Sequence, residues 1–256
     1  MTSHAAPPPA AAGTPDSTKV KRPSSFWREL PVLVVIALVL AFLLKTFLIQ
    51  AFYIPSGSME NTLQVGDRVM VNKLAYTLGD IQRGDVIVFN GVDSWDPEIP
   101  VADAGNPVTR ALKSVAGAFG FASASEKDYI KRVIGLPGDR VKCCDKNGRL
   151  TVNGVPIDEP YIFDGNKPSN DPFDIRVPDN RLWVMGDHRA ASSDSRAHIG
   201  DPGGGAIPIE SVVGRAFVII WPFSDTSFLT RPDTIDNEAI DAAQTDESLE
   251  KESSSK

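Results

Sequence analysis

Residues 128–141 read DYIKRVIGLPGDRV, and this stretch decides the fold. A short run of aromatic, β-branched and charged residues from Tyr129 to Ile134 is closed by Gly-Leu-Pro-Gly-Asp, the pattern of a strand running into a turn. On a strand, Lys131 shares a face with Tyr129 and Val133, while Arg132 shares the other with Ile130 and Ile134. The two charges are therefore expected on opposite sides, one buried and one wet.

The pattern recurs on both sides of this stretch. VGDRVMVNKL (65–74), GDVIVFN (84–90), GDRVKCCD (138–145), RLTVNGVPI (149–157), RLWVMGD (181–187) and VVGRAFVIIWPF (212–223) are apolar, β-branched runs separated by Gly, Asp, Asn and Pro. They predict a mainly β domain over residues 55–223, with antiparallel sheets in a partly closed, barrel-like arrangement. An insertion at about 91–127 carries one helical candidate, 107–121, where Val108, Leu112, Val115 and Phe119 recur at helical spacing. Its apolar face, with Trp95, Phe119 and Phe121, is expected to pack on its own domain rather than on lipid.

Upstream the character changes. Residues 1–29 are rich in Pro and Ala with few large apolar groups, and read as a disordered tail. Residues 30–54, LPVLVVIALVLAFLLKTFLIQAFYI, hold one charge, Lys45, and read as a single transmembrane helix, because about 20 apolar residues cross a bilayer. No polar stripe marks a surface helix, and no clean Ala-x-Ala site marks a removable leader. Lys19, Lys21, Arg22 and Arg28 precede the run, which places the N-terminus in the cytoplasm and all that follows outside. The last 33 residues, 224–256, carry nine acidic and three basic side chains and read as a disordered acidic tail.

Composition excludes several classes. With 26 basic against 33 acidic residues, the chain lacks the strongly basic face of a nucleic-acid binder. Two cysteines, Cys143 and Cys144, exclude a disulfide scaffold, and their adjacency argues against a metal site. They are expected as inert reduced thiols, with a vicinal disulfide as the alternative. No cofactor or metal is expected.

Four residues beyond the apolar run stands Ser58, in IPSGSMENTL. At ~3.3 Å per extended residue it lies at most about 13 Å past Ile54, near the membrane surface. A serine hydroxyl needs a base to become a nucleophile. Of the three histidines, His4 falls on the cytoplasmic side, and His188, beside Asp187, leaves a Ser/His/Asp arrangement open alongside His198. The rival base is Lys131, which serves only if burial keeps it neutral.

Five blocks in order, PSGSM-x-x-TL (55–63), GDRVMVNK (66–73), RGDVIVF (83–89), DYIKRVIGLPGD (128–139) and GDHRAASSDSR (186–196), resemble the type I signal peptidases. The single anchor, the Pro/Ala-rich leader and the GDHR variant resemble actinobacterial members. The resemblance implies Ser58 as nucleophile and Lys131 as general base, with the Ser58 N–H and the Ser56 hydroxyl as oxyanion hole. It implies that Ser192 orients Lys131, and that Asp187, Asp194 and Arg196 tie their loop to the catalytic strand. Asn is common in the family where this chain has His188, so His188 is left outside the catalytic set. The implied activity is cleavage of secretory preproteins after Ala-x-Ala-like sites, at the cell membrane and close to the export translocon. The alternatives are another Ser/Lys peptidase, such as a self-cleaving repressor, or an anchored, inactive binding protein with the same fold.

Overall fold

The computed structural model describes residues 26–92, 94–96, 127–235 and 237–245. The helical candidate 107–121 and most of the insertion lie outside the described residues. The chain divides into two compact units, residues 1–40 and 41–256.

Helix α1 spans Phe26–Phe47, with Glu29 in its first turn complementing the positive end of the helix dipole. Among the described residues no helix is long and apolar enough to cross a membrane. The helix does not extend to residue 54. Ile49–Tyr53 form strand β1, in which buried Phe52 stands between exposed Ala51 and Tyr53, and Ile54, just past the strand, is buried again. A continuous apolar run cannot by itself separate a helix from a buried strand, and here the β-branched and aromatic residues after Leu48 pair instead with a neighbouring strand.

The remaining strands are β2 (Arg68–Asn72), β3 (Val86–Asn90), β4 (Asp128–Gly135), β5 (Arg140–Cys143), β6 (Thr151–Val152), β7 (Val155–Pro156), β8 (Phe173–Arg176), β9 (Arg181–Met185), β10 (Ile207–Pro208), β11 (Val212–Trp221) and β12 (Ser227–Phe228). The large sheet has the order β1-β2-β11-β3-β4-β9-β10, with β12 added on β11, and a smaller sheet has the order β7-β6-β5-β8. All the pairings are antiparallel. Register shifts on β11 and between β4 and β9 bend the large sheet, as bulges do. Strand β11 lies between β2 and β3, so it joins the half whose strands flank Ser58 in sequence to the half that carries Lys131.

Apolar clusters fill the space around the sheets. One gathers Phe52, Ile54, Met59, Leu63, Val69 and Val71, which anchors the Ser58 turn to β1 and β2. Another unites β4, β9 and the small sheet through Ile134, Val141, Val152, Trp183 and Met185. Trp95 is buried, edge-on to Phe89 and to Tyr129, as expected of a residue packing on its own domain.

The expectation of a disordered tail from residue 224 is corrected. β12 pairs with β11, residues 238–245 are helical, and Ile235 and Ile240 are fully buried in the cluster around Trp183. Arg83 reaches both Asp139 at 2.7 Å and Asp241 at 2.5 Å. Two buried isoleucines at roughly 1.5–3 kcal/mol each outweigh the acidic composition that suggested solvation. Cys143 and Cys144 are joined in a vicinal disulfide, so the expectation of free thiols gives way to its alternative.

Candidate active site

Pro55 ends the extended segment after β1, and Gly57–Met59 close a single 3-10 turn with Ser56 as its extended N-cap. Buried Met59 and Leu63 hold this turn on the core, which fixes Ser58 between them and β1. Opposite it, the pairing of β3 with β4 sets Lys131 against Ile87, in the middle of the sheet. Lys131 Nζ lies 2.7 Å from Ser58 Oγ. Ser58 is 7 % exposed and Lys131 4 %, so water is nearly excluded from the pair. Burial pushes the Lys131 ammonium down to about 8, against the opposing pull of the Asp194 and Asp187 charges.

The Ser56 hydroxyl makes no capping bond to the turn, and the Ser58 N–H stands in its first residues, where backbone donors lack an intrahelical acceptor. The Ser58 carbonyl accepts the His188 N–H at 3.1 Å, which pins the turn to the loop after β9. A Cβ at Gly186 would collide with Ser192 Oγ and with the Ser58 carbonyl oxygen, so glycine alone lets these three segments meet. Ser192 Oγ is buried, makes no hydrogen bond to Lys131, and stands beside the Asp194 carboxylate, which it helps to keep ionised.

Asp187 is fully buried and accepts from three donor atoms on two residues. Arg132 Nε and Nη2 donate to its two oxygens at 2.9 and 2.6 Å, and the Thr62 hydroxyl donates at 2.5 Å. It therefore ties the loop to the catalytic strand and to the Ser58 segment at once. Asp194 accepts from Arg196 Nε at 2.9 Å, from Nη2 at 2.7 Å and from the Gly186 N–H at 3.0 Å. Burial works to raise its pKa, and the Arg196 hydrogen bonds and charge overcome this and hold it below the usual carboxylate value. Arg196 Nη2 also donates to the Arg189 carbonyl and Nη1 to the Pro168 carbonyl, so the pair braces the loop and ties it to the segment before β8, while Asp194 acts on Lys131 through its charge.

Arg132 corrects the expectation of one wet charge. It is 2 % exposed, donates to the Gly84 carbonyl and lies 4.3 Å over the Tyr161 ring. β4 is flanked by β3 and β9 and covered on both faces, so both cations go inside and each needs its own solution. Arg189, paired with Glu159 at 2.5 Å, is likewise buried beside Tyr161. Strand alternation gave no sign of Thr62, Glu159, Tyr161 or Arg189, whose partners are distant in sequence. The signal for Arg132 was its place inside an apolar run. His188 bonds Glu60 at 2.8 Å through Nδ1 and stacks on Phe163 at 4.1 Å, outside the Ser58–Lys131 contact.

The family description "Signal peptidase, peptidase S26" matches residues 27–221. The chain belongs to this family. It is a signal peptidase by that membership and by its relatives. It is 42 % identical to "Signal peptidase I" of Mycobacterium tuberculosis over 83 % of this chain and 78 % of that one. It is 39 % identical to "Probable signal peptidase I" of Mycobacterium leprae, covering 79 % and 78 %. It is 32 % identical to "Signal peptidase I S" of Bacillus subtilis, covering 75 % and 88 %. A crystal structure of a signal peptidase I from Enterococcus faecalis aligns with a TM-score of 0.34 at 23 % identity, over 54 % of this chain and 97 % of that one.

Proposed function

We propose that this signal peptidase is a membrane-anchored serine endopeptidase that works through a Ser58–Lys131 dyad and an acyl-enzyme. The observation that carries the reading is the 2.7 Å contact between Lys131 Nζ and Ser58 Oγ in a site nearly closed to water, with the amine pKa brought to about 8. Neutral Lys131 takes the Ser58 proton as Oγ attacks the scissile carbonyl carbon. The oxyanion that forms is met by the Ser58 N–H and the Ser56 hydroxyl. Lys131, now an ammonium, returns the proton to the leaving amine, and the acyl group stays on Ser58. A water molecule gives a proton to Lys131 and attacks the ester, and Lys131 returns that proton to Ser58 Oγ as the signal peptide leaves with a free carboxylate.

The substrates are secretory preproteins cut after small residues in an Ala-x-Ala pattern, delivered near the export translocon. The fifteen uncharged residues from Leu30 to Leu44 support anchoring. Val32, Leu33 and Leu38 stand 59, 58 and 64 % exposed, an apolar surface suited to lipid. The N-terminus is cytoplasmic and the β domain extracytoplasmic. With the apolar segment 30–44 in lipid, the serine meets a preprotein where its cleavage site leaves the bilayer.

The test is cleavage of a precursor by full-length protein in detergent micelles. Ser58→Ala and Lys131→Ala are expected to abolish cleavage while near-UV circular dichroism stays native. Substantial turnover by Lys131→Ala would refute the dyad, and an inactive parent enzyme would favour an anchored binding protein instead.

A further inference from the structure

A hydroxyl–imidazole–carboxylate chain lies in the loop after β9 and plays no part in the reaction above. His198 Nδ1 is 2.6 Å from Asp201 Oδ2, and His198 Nε2 is 3.1 Å from Ser193 Oγ. A carboxylate only accepts, so in the neutral ring the proton sits on Nδ1 and the Nε2 lone pair faces the Ser193 hydroxyl. The ring has little freedom. It stacks on Trp95 with centroids 4.5 Å apart and planes within 4°, and Trp95 is itself held by donating to the Gly205 carbonyl at 2.9 Å. Ser193 is exposed, whereas His198 is 17 % and Asp201 42 % exposed. A hydroxyl placed there for packing would be buried, as the neighbouring Ser195 is, with its hydroxyl accepting the Val184 N–H. This one is open to reagents while its base is fixed from behind.

We propose that Ser193, His198 and Asp201 form a second nucleophilic centre that accepts acyl groups from small, unhindered esters. His198 Nε2 takes the Ser193 proton as Oγ attacks the ester carbonyl carbon. The C–O bond to the leaving group breaks, and His198 returns the proton to the departing alkoxide. The product is an O-acyl Ser193 and an alcohol. Water, deprotonated by the same nitrogen, then releases the carboxylic acid and restores the hydroxyl. Asp201 holds the ring in the required tautomer and stabilises the imidazolium, as the carboxylate does in serine–histidine–aspartate enzymes. Trp95 is a positioning residue. The proposal is independent of the Ser58–Lys131 reading.

The test uses the full-length chain carrying Ser58→Ala, so that the first nucleophile is gone. It is exposed to p-nitrophenyl acetate, quenched in acid and mapped by peptide mass spectrometry. Acetylation of Ser193 is expected, falling about 100-fold with His198→Gln, the loss of a general base, and by a smaller factor with Asp201→Asn. Absence of acetyl on Ser193, or an amount that His198→Gln leaves unchanged, overturns the proposal. With Ser58 restored, the His198→Gln chain is expected to keep cleaving a precursor, which reports an intact fold. Should that chain fail to cleave, Asp201→Asn decides in its place, and unchanged acetylation there overturns the proposal equally.

Discussion

Replacing Lys131 by Met is expected to remove all activity and yet stabilise the protein at neutral pH. The ammonium is held at about 8 in the fold, against 10.5 for the free group, because burial opposes its charge. A shift of that size amounts to about 3 kcal/mol of opposition to folding at pH 7, at 1.36 kcal/mol per pH unit. Against this, the variant leaves Ser58 Oγ without its 2.7 Å partner, a loss of about 1 kcal/mol. The net gain is about 2 kcal/mol. The sign can be checked through pH. Between pH 8 and 10.5 the unfolded chain binds a proton that the folded chain does not, so stability of the parent rises with pH in that window. The advantage of Lys131→Met should therefore shrink to roughly zero by about pH 10. Urea denaturation of both proteins in the same micelles, at pH 7 and pH 10, measures it. A variant no more stable than its parent at pH 7, or an advantage that does not change with pH, would refute the claim that Lys131 is a strained, desolvated amine.

Other outcomes follow from the same geometry. Because only neutral Lys131 can act as base, kcat/KM for precursor cleavage should rise about tenfold per pH unit below an apparent pKa near 8 and level off above it; a flat profile from pH 6 to 9 contradicts this. Asp187→Ala strands the buried Arg132 guanidinium and should lower stability by about 3–5 kcal/mol, whereas Thr62→Val removes two hydrogen bonds, one donated to Asp187 and one accepted from Arg132 Nη2, and should cost about 2 kcal/mol, both read from urea midpoints. Ile240→Ala should destabilise by about 2–5 kcal/mol, and a loss below a few tenths would mean that the C-terminal segment does not pack as described.

Much of the fold was legible because period-two alternation and Gly/Asp/Pro turns are local signals. Each strand from β2 to β5 falls inside a run that the sequence marks. β1 was hidden because Phe52 and Ile54 continue the apolar character of α1, and hydropathy does not record where helix gives way to pleat. The C-terminal segment was misread for the opposite reason. Ile235 and Ile240 are two core residues in a stretch dominated by carboxylates, one of which, Asp241, is consumed by Arg83. Ser58 and Lys131 were recognised through the family's ordered motifs, and Lys131 also through its apolar neighbours. Arg132 was placed on the correct face and given the wrong environment, because alternation tells which side a residue takes and not what covers that side. The Ser193–His198–Asp201 chain is not legible in the sequence because the loop after β9, not a strand or helix period, brings the three side chains together, whereas Asp187, next to His188 in sequence, turns to Arg132 and Thr62.

The place of β11 in the large sheet has a temporal side. The segment leading to Ser58 and the strand bearing Lys131 are made early, yet in the sheet they are connected through residues 212–221, which are synthesised after both. A chain made N-terminus first thus carries this hydroxyl and this amine as unassembled parts until residues 212–221 have followed. Bringing Ser58 and Lys131 into contact is thereby a late event in the assembly of the large sheet.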